Sequence, residues 1–217
     1  MSEQPVTQGP HQGRDVLAAG KPLTEAQAAM ILIHGRGAFA HDIIELGPPI
    51  GGDKFAFLAP QAANNTWYPY SFLAPIANNE PYLTSALQTI ADLITQVEAA
   101  GIPAAKIILA GFSQGACLAS EFAARNARRY GGLLLFSGGL IGPPGTPRDY
   151  PGSLDGTPVF IGCSDIDAHI PLVRVHETAE TLTDLGANVT EEIYPGMGHT
   201  IIQDELTQAQ KIVDSLS

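Results

Sequence analysis

A G-x-S-x-G motif between an apolar run and a helix-favouring stretch constrains this chain more than any other feature. The run Ile107–Ala110 leads into GFSQG at residues 111–115, and small, helix-favouring residues follow. In this setting the motif predicts a strand, a sharp turn and a helix. So tight a turn leaves room only for glycine two positions before and after the serine, and it exposes the Ser113 hydroxyl at the carboxyl end of the strand. The alternative interpretation is a glycine-rich turn with an incidental serine.

Apolar runs alternate with stretches of helical periodicity along the rest of the chain. Strands are predicted for residues 14–19, 28–33, 55–59, 107–110, 133–136, 159–161 and 189–194. Helices are predicted for a short segment opening at 42–45 with capping-box spacing, and for residues 81–100, 114–129, 172 to a stop at Gly186, and 202–216. This alternation, without repeats or a linker, predicts one α/β domain with a mostly parallel sheet and helices on both faces.

The bulk composition narrows the class of protein. The 217 residues carry a net charge of −11 and no basic stripe, so nucleic acid is an unsuitable partner. Cys117 and Cys163 fall in apolar stretches without metal-ligand spacing, and buried free thiols are expected. The chain lacks a signal-peptide pattern and a membrane-spanning run, which makes a soluble, cytoplasmic protein the default expectation. Residues 1–13 are expected to form a flexible tail, and residues 14–217 the domain.

Residues capable of chemistry cluster where the predicted strands end. In parallel sheets ligands bind beyond the carboxyl ends of the strands, where Ser113 and His199 both fall. A serine hydroxyl needs a base, and His199, after a strand and a glycine-rich turn, is the best candidate among six histidines. His34 is equally consistent with a structural, hydrogen-bonding role. Asp165 and Asp167 both qualify as the carboxylate that orients the base, which leaves that choice open.

A second glycine-rich turn supplies candidate oxyanion donors. In His34-Gly35-Arg36-Gly37, the glycines on either side of Arg36 allow its backbone amide to turn toward the nucleophile. This amide and that of Gln114 at the predicted helix start are expected to form a two-donor oxyanion hole. Taken alone, the segment is better interpreted as an ordinary glycine-rich turn, and only the combination with Ser113, His199 and a carboxylate favours the oxyanion hole. No metal or organic cofactor is needed for this chemistry.

Several stretches together resemble the phospholipase/carboxylesterase family of α/β-hydrolases, which includes acyl-protein thioesterases and small bacterial carboxylesterases. They are LIHGRG, AGFSQGACLA, LLLFSGGL, DAHIP at residues 167–171, and YPGMGH, spread over residues 28–200. The resemblance implies a triad of Ser113, Asp167 and His199, with the amides of Arg36 and Gln114 as the oxyanion hole. The sequence departs from the family pattern in having Arg36 for an aliphatic residue and Ala116 for a glycine, and Ala168 stands where a proline is frequent.

The irregular stretch at residues 61–80 is long for a compact domain and is predicted to be functional. It carries Trp67, Phe72 and Leu73, which are expected to form a wall of the acyl pocket. It also differs from what the resemblance to thioesterases implies. Because it lacks the long apolar helix of a lipase lid, short- or medium-chain esters are the expected substrates.

Other functions stay open from the sequence alone. A thioesterase, a lysophospholipase and a dienelactone-hydrolase-like enzyme share the fold, although the last usually has cysteine at the position of Ser113. A non-catalytic, ligand-binding relative commonly lacks a triad member, and none is missing here. A pure interaction protein that docks through residues 61–80 leaves the triad unexplained. The expected partner is a small-molecule ester, and the oligomeric state stays open, with a homodimer as one alternative.

Overall fold

A seven-stranded sheet organises the protein, and its strand order is β1-β3-β2-β4-β5-β6-β7. The computed structural model describes residues 9–216. The edge strand β1 is antiparallel to β3, and all other neighbours in the sheet are parallel. The strands are β1 Val16–Gly20, β2 Ala28–Ile33, β3 Phe55–Pro60, β4 Ile107–Phe112, β5 Gly132–Phe136, β6 Pro158–Ser164 and β7 Asn188–Tyr194. Each strand expected from the apolar runs is therefore present.

The helices cover both faces of the sheet. They are α1 Ala40–Ile44, α2 Gly47–Gly51, α3 Tyr82–Ala99, α4 Gln114–Arg125, α5 Leu172–Asp184 and α6 Gln203–Asp214. Strand β2 is buried on both sides, as its unbroken apolar run predicts, so alternate residues enter two cores. Ile31 lies in the core with α3, α4 and α5, and Met30 lies in the core with α1, α2 and α6. The predicted α/β fold with helices on both faces is confirmed.

Two predicted helix boundaries are wrong. The helix after Ser113 ends at Arg125, not at residue 129, because Asn126 leaves the helical conformation at φ −122° and ψ 46°. The side-chain amide of Asn126 donates to the Phe122 carbonyl at 2.9 Å and closes the end of the helix. Asp42 does not open α1 but lies in its first turn, where its carboxylate accepts the Phe39 amide at 2.8 Å.

Residues 9–13, the described part of the predicted flexible tail, pack against the domain. Residues 1–8 lie outside the described residues, but His11 is buried against the domain with 1% of its surface exposed. Its backbone amide donates to the Ser85 hydroxyl on α3 at 2.9 Å. Its ring accepts the Ala63 amide at 3.0 Å and donates to the Trp67 carbonyl at 2.9 Å. Residues 9–13 therefore join α3 to the 61–80 loop, which hydropathy alone does not indicate.

Between residues 9 and 216, no helix combines the length and the apolar character needed to cross a membrane.

A buried carboxyl group lies where α6 packs under the sheet. Glu205 has no exposed surface, and one of its oxygens accepts the Ile202 amide at 2.9 Å. The other oxygen, Oε1, has no hydrogen-bond partner among the described residues and faces Gly162 of β6. Burial raises the pKa of Glu205 to about 7.

The raised pKa of Glu205 predicts that the free energy of unfolding decreases as the pH rises through about 7. The folded state holds the proton more tightly than the unfolded chain, so the stabilising contribution is complete below the ordinary pKa of 4.5 and is lost as the pH rises through about 7. We expect Glu205→Gln, which stays neutral, to exceed the native protein in unfolding free energy by on the order of 2–3 kcal/mol at about pH 8.5. The two should converge near pH 5 in urea titrations. An equal difference at both pH values would contradict the assignment.

Candidate active site

The turn between β4 and α4 holds Ser113 in a strained backbone conformation. Its φ is 54° and its ψ is −118°, a region that non-glycine residues rarely adopt and that costs about 1–3 kcal/mol. The flanking glycines allow it, since a methyl group on Gly115 would overlap the Ile33 carbonyl and one on Gly111 would overlap the backbone of Gly115. Hydrogen bonds from the Ser113 amide to the Phe136 carbonyl at 2.9 Å and from the Cys117 amide to the Ser113 carbonyl at 3.0 Å fix the turn.

Three side chains from separate strand ends form one hydrogen-bond chain. His199, after β7, has Nε2 at 2.8 Å from the Ser113 hydroxyl oxygen and Nδ1 at 2.7 Å from Oδ2 of Asp167. An ionised carboxylate only accepts hydrogen bonds, so Nδ1 carries the proton and Nε2 accepts from the serine hydroxyl. This tautomer leaves His199 able to take the serine proton.

Asp167 is held in its charged form. Its Oδ1 accepts the backbone amides of His169 at 2.8 Å and Ile170 at 3.0 Å, which leaves Oδ2 for His199. Burial opposes the charge, but the hydrogen bond from His199 and these two amides outweigh it and keep the pKa of Asp167 below its usual value. The aspartate therefore stays ionised and orients the imidazole at neutral pH.

The other candidate aspartate has a different position. Oδ1 of Asp165 accepts the Gly196 amide at 2.8 Å, in the turn that carries His199. Beside it, the Ser164 hydroxyl donates to the Met197 carbonyl and accepts the Ile166 amide at 3.1 Å. These bonds tie the loop after β6 to the turn after β7, so Asp165 supports the position of the histidine without touching it.

Two rings enclose the imidazole of His199. The Phe112 ring centroid lies 4.8 Å from that of His199, and the His169 centroid lies 4.7 Å away. The His199 side chain keeps 19% of its surface exposed, which is enough to reach a substrate. His169 lies in the loop after β6 and lines the same cavity as Ser113. Its position two residues after Asp167 is the only sequence signal for this.

The two predicted oxyanion donors lie beside the nucleophile. Arg36 and Gln114 both lie in the wall of the cavity that contains Ser113. Among the described residues, neither backbone N–H donates a hydrogen bond to another group. Gln114 is the first residue of α4, where the helix dipole favours negative charge. Two backbone amides without an acceptor among the described residues therefore belong to residues that line the same cavity as Ser113.

The side chains of the same two residues fasten the 61–80 loop. The Arg36 guanidinium donates to the Thr66 hydroxyl at 3.1 Å and to the carbonyls of Pro69 at 2.9 Å and Tyr70 at 2.7 Å. The Gln114 amide accepts from the Trp67 backbone at 2.8 Å and donates to the Tyr68 carbonyl at 2.9 Å. The loop is thus anchored to both candidate oxyanion donors, which gives the Arg36 side chain a definite role.

His34 holds the base of that loop. Its Nε2 accepts the Ala62 amide at 3.1 Å, so its Nδ1 carries a proton and donates to the Gly35 carbonyl at 2.7 Å. Burial lowers its pKa, and the ring stays neutral. Its backbone carbonyl accepts the Trp67 indole N–H at 2.9 Å. The structure thus places His34 in the structural role that the sequence left as one of its two interpretations.

A cavity of about 450 Å³ opens onto Ser113, and we call it the first cavity. Its apolar wall includes Tyr68, Phe72, Cys117 and Ile170, of which only Phe72 was expected. Trp67 is fully buried in the core below the loop, where its indole is already hydrogen-bonded, and it does not line the cavity.

Leu73 also does not line the first cavity, because it packs against the hydrophobic core. The structure therefore corrects the predicted wall at two of its three residues. Both cysteines are buried and free, as expected. Burial raises the pKa of each thiol to about 12, so neither is a thiolate at neutral pH. In the described part of the chain, no group of three or more His, Cys, Asp or Glu side chains is placed to hold a metal ion.

Known proteins share this architecture. The crystal structure of a phospholipase/carboxylesterase from Dyadobacter fermentans DSM 18053 superposes with a TM-score of 0.89 and 45% identity, covering 92% of this chain and 96% of its own. The crystal structure of esterase PE8 superposes with a TM-score of 0.75 and 25% identity, covering 94% of this chain and 99% of its own. A curated relative, acyl-protein thioesterase 1 of Debaryomyces hansenii, is 27% identical across 93% of this chain and 95% of its own length.

The mostly parallel sheet and the similarity to solved esterase structures define the protein as an α/β-hydrolase. The sequence model of the phospholipase/carboxylesterase family matches residues 16–217, and the chain belongs to that family. It is therefore a hydrolase of esters or thioesters.

The bonds of Arg36 to the loop generate a prediction about activity. Arg36→Met removes three hydrogen bonds but keeps the backbone amide, so we expect the loop to loosen and kcat/KM on p-nitrophenyl butyrate to fall about five- to tenfold. Arg36→Lys should recover little, because an ammonium group cannot bond three acceptors in that planar arrangement. Arg128→Met, at an exposed arginine that pairs with Glu98 and does not line the cavity, is the control. Full activity in Arg36→Met would refute this role.

Proposed function

We propose that this protein is a serine carboxylesterase that hydrolyses short- to medium-chain esters through an acyl-enzyme on Ser113. The observation that carries the proposal is the position of His199, which bridges the Ser113 hydroxyl at 2.8 Å and Asp167 at 2.7 Å. Nucleophile, base and orienting acid are within hydrogen-bond reach before any substrate is bound, as acyl transfer requires.

In the first half of the reaction the serine becomes acylated. His199 Nε2 takes the hydroxyl proton as Ser113 Oγ bonds to the substrate carbonyl carbon. The oxygen of that carbonyl becomes negative and is stabilised by the amides of Arg36 and Gln114. The tetrahedral intermediate then expels the alcohol, which leaves with the proton from His199. Asp167 stabilises the imidazolium that exists between these two transfers.

In the second half water replaces the alcohol. His199 removes a proton from a water molecule as it attacks the acyl-enzyme, and the same two amides hold the oxyanion again. The carboxylic acid leaves and the proton returns to Ser113 Oγ. Apart from the substrate and this water molecule, the proposed steps use only side chains and amides of this chain.

The walls of the first cavity support the preference for acyl groups of limited length. The 61–80 loop that carries Tyr68 and Phe72 is fastened by Arg36, Gln114 and His34, so it is held in place over the cavity. The volume of about 450 Å³ includes part of the opening to the surface, and it must also accommodate the reacting carbonyl group. The space left for the acyl chain is correspondingly smaller. A short or medium acyl group fits this space better than a long fatty-acyl chain.

A second candidate function is an acyl-protein thioesterase, because curated relatives at 27–33% identity carry that name. A lysophospholipase would likewise need room for a long acyl chain. A non-catalytic binding protein is the candidate from another class, but it does not explain the complete set of hydrogen bonds that joins Ser113, His199 and Asp167.

Active-site labelling tests the proposal directly. A fluorophosphonate probe should label the native protein at a one-to-one ratio, and Ser113→Ala should lose both labelling and turnover, because the probe and the substrate require the same oxygen. Esterase turnover that survives in Ser113→Ala would overturn the mechanism.

The two aspartates provide a matched comparison for the same experiment. Asp167→Asn should lower kcat by roughly 10³–10⁴-fold, because the asparagine no longer fixes the His199 tautomer. Asp165→Asn removes only a hydrogen bond that supports the turn carrying His199, and it should lower kcat by less than about tenfold. Thermal unfolding of both variants checks that they fold. The reverse ranking would assign the acid to Asp165.

Acyl-length dependence separates the two hydrolase candidates. On p-nitrophenyl esters, kcat/KM should peak at short or medium acyl chains and decline for long ones, and palmitoyl thioesters should be poor substrates. The comparison uses one leaving group throughout, so that only the acyl chain changes. A steady rise through palmitoyl esters and thioesters would instead establish the thioesterase or lysophospholipase function.

A further inference from the structure

A second cavity, of about 380 Å³, lies on the other side of His199. It shares Gly35, Ala38, Phe112 and His199 with the first cavity, so the two cavities are adjacent at the imidazole. Unlike the first cavity, it does not reach Ser113 or Gln114. The second cavity is therefore lined by the catalytic base, His199, but not by the nucleophile, Ser113.

The course of the reaction assigns a different part of the ester to each cavity. The acyl carbon must bond to Ser113 Oγ with its oxygen toward Arg36 and Gln114, which places the acyl chain in the first cavity. The leaving oxygen must face His199 Nε2, the group that protonates it. We propose that the second cavity binds the alcohol part of the ester, an inference that rests on the proposed function.

The walls indicate which alcohols fit. Ile43, Leu46 and Ile201 supply aliphatic surface, and the Phe112 ring closes the side toward His199. The lining also includes the carboxylate of Asp42, which is 49% exposed. An alcohol of several carbons gains from leaving water for this surface. A negatively charged alcohol is disfavoured by Asp42, so the site favours apolar, uncharged alcohols over anionic ones.

The chemistry confines this selectivity to one half of the reaction. In acylation the bond from Ser113 Oγ to the acyl carbon forms, the bond to the alcohol oxygen breaks, and the serine proton passes through His199 to that oxygen. The free alcohol then departs, so every ester of one acid gives the same acyl-enzyme. The second cavity consequently affects acylation and the reverse attack by an alcohol, and not hydrolysis by water.

A substitution that fills the cavity tests the assignment. Leu46 is partly buried in its wall, and Leu46→Trp should reduce the ratio of kcat/KM for hexyl butyrate to that for methyl butyrate at least roughly tenfold. Ile170→Trp, in the first cavity, should change the dependence on acyl length and leave the hexyl-to-methyl ratio within about threefold. Val173→Trp, at a position 74% exposed on α5, controls for the added indole.

Capture of the acyl-enzyme gives an independent readout. Hexanol added to a butyrate ester should compete with water and form hexyl butyrate in the native protein. Leu46→Trp should form several-fold less of it, while the rate of hydrolysis of the acyl-enzyme, followed by single-turnover kinetics, keeps its native value. If Leu46→Trp does not fold, Leu46→Ala enlarges the cavity and should raise the relative rate for a bulkier ester such as cyclohexyl butyrate.

The outcomes separate this inference from the proposed function. An unchanged hexyl-to-methyl ratio and unchanged alcohol capture in Leu46→Trp, with normal fluorophosphonate labelling of Ser113, would overturn the alcohol site and leave the esterase intact. A shift in acyl preference with no shift in alcohol preference would also overturn it. Absence of labelling and of turnover on any ester in the native protein would instead refute the proposed function.

Discussion

The close contact between the first turn of α4 and the end of β2 determines the rest of the site. Gly115 lies so near the Ile33 carbonyl that no side chain fits between them. This contact lets the helix start directly above the sheet and holds Ser113 at a φ of 54°. The backbone strain is offset by the surrounding buried strands, since β2 and β4 are paired along Ala29–Ile33. The nucleophile is therefore positioned by backbone packing, and its side chain is free to bond His199.

Buried polar groups give the 61–80 loop its fixed position. His11, His34 and Gln114 are each almost fully buried, and each uses both of its side-chain polar atoms on the backbone of this loop or its neighbours. Groups of this kind are costly to bury without partners, so they specify one loop conformation rather than adding general stability. The wall of the first cavity is thus preorganised although the only regular structure in the described loop is two short 3-10 segments, Ala63–Asn65 and Ile76–Asn79.

Sequence patterns predicted the parts of this protein that depend on local chemistry. The strands follow from apolar runs, and the positions of Ser113 and His199 follow from motifs at strand ends, which a parallel sheet brings together. The choice of Asp167 over Asp165 rests on the family resemblance. The pocket wall could not be predicted in the same way. Trp67 and Leu73 have the composition of a pocket wall, but only the three-dimensional path of the loop directs Trp67 toward His34 and leaves Tyr68 at the cavity. The end of α4 at Arg125 likewise depends on the side chain of Asn126, which periodicity does not detect.

The contacts of His11 connect the beginning of the chain to the catalytic end of the sheet. Its ring bonds the backbone at Ala63 and Trp67, and Trp67 in turn bonds both His34 and Gln114. A shortened polypeptide starting after Gly13 would retain every strand and every triad residue. It would nevertheless lose the brace beneath the loop that forms the cavity wall. The position of the cavity wall therefore depends on a segment that no triad motif marks.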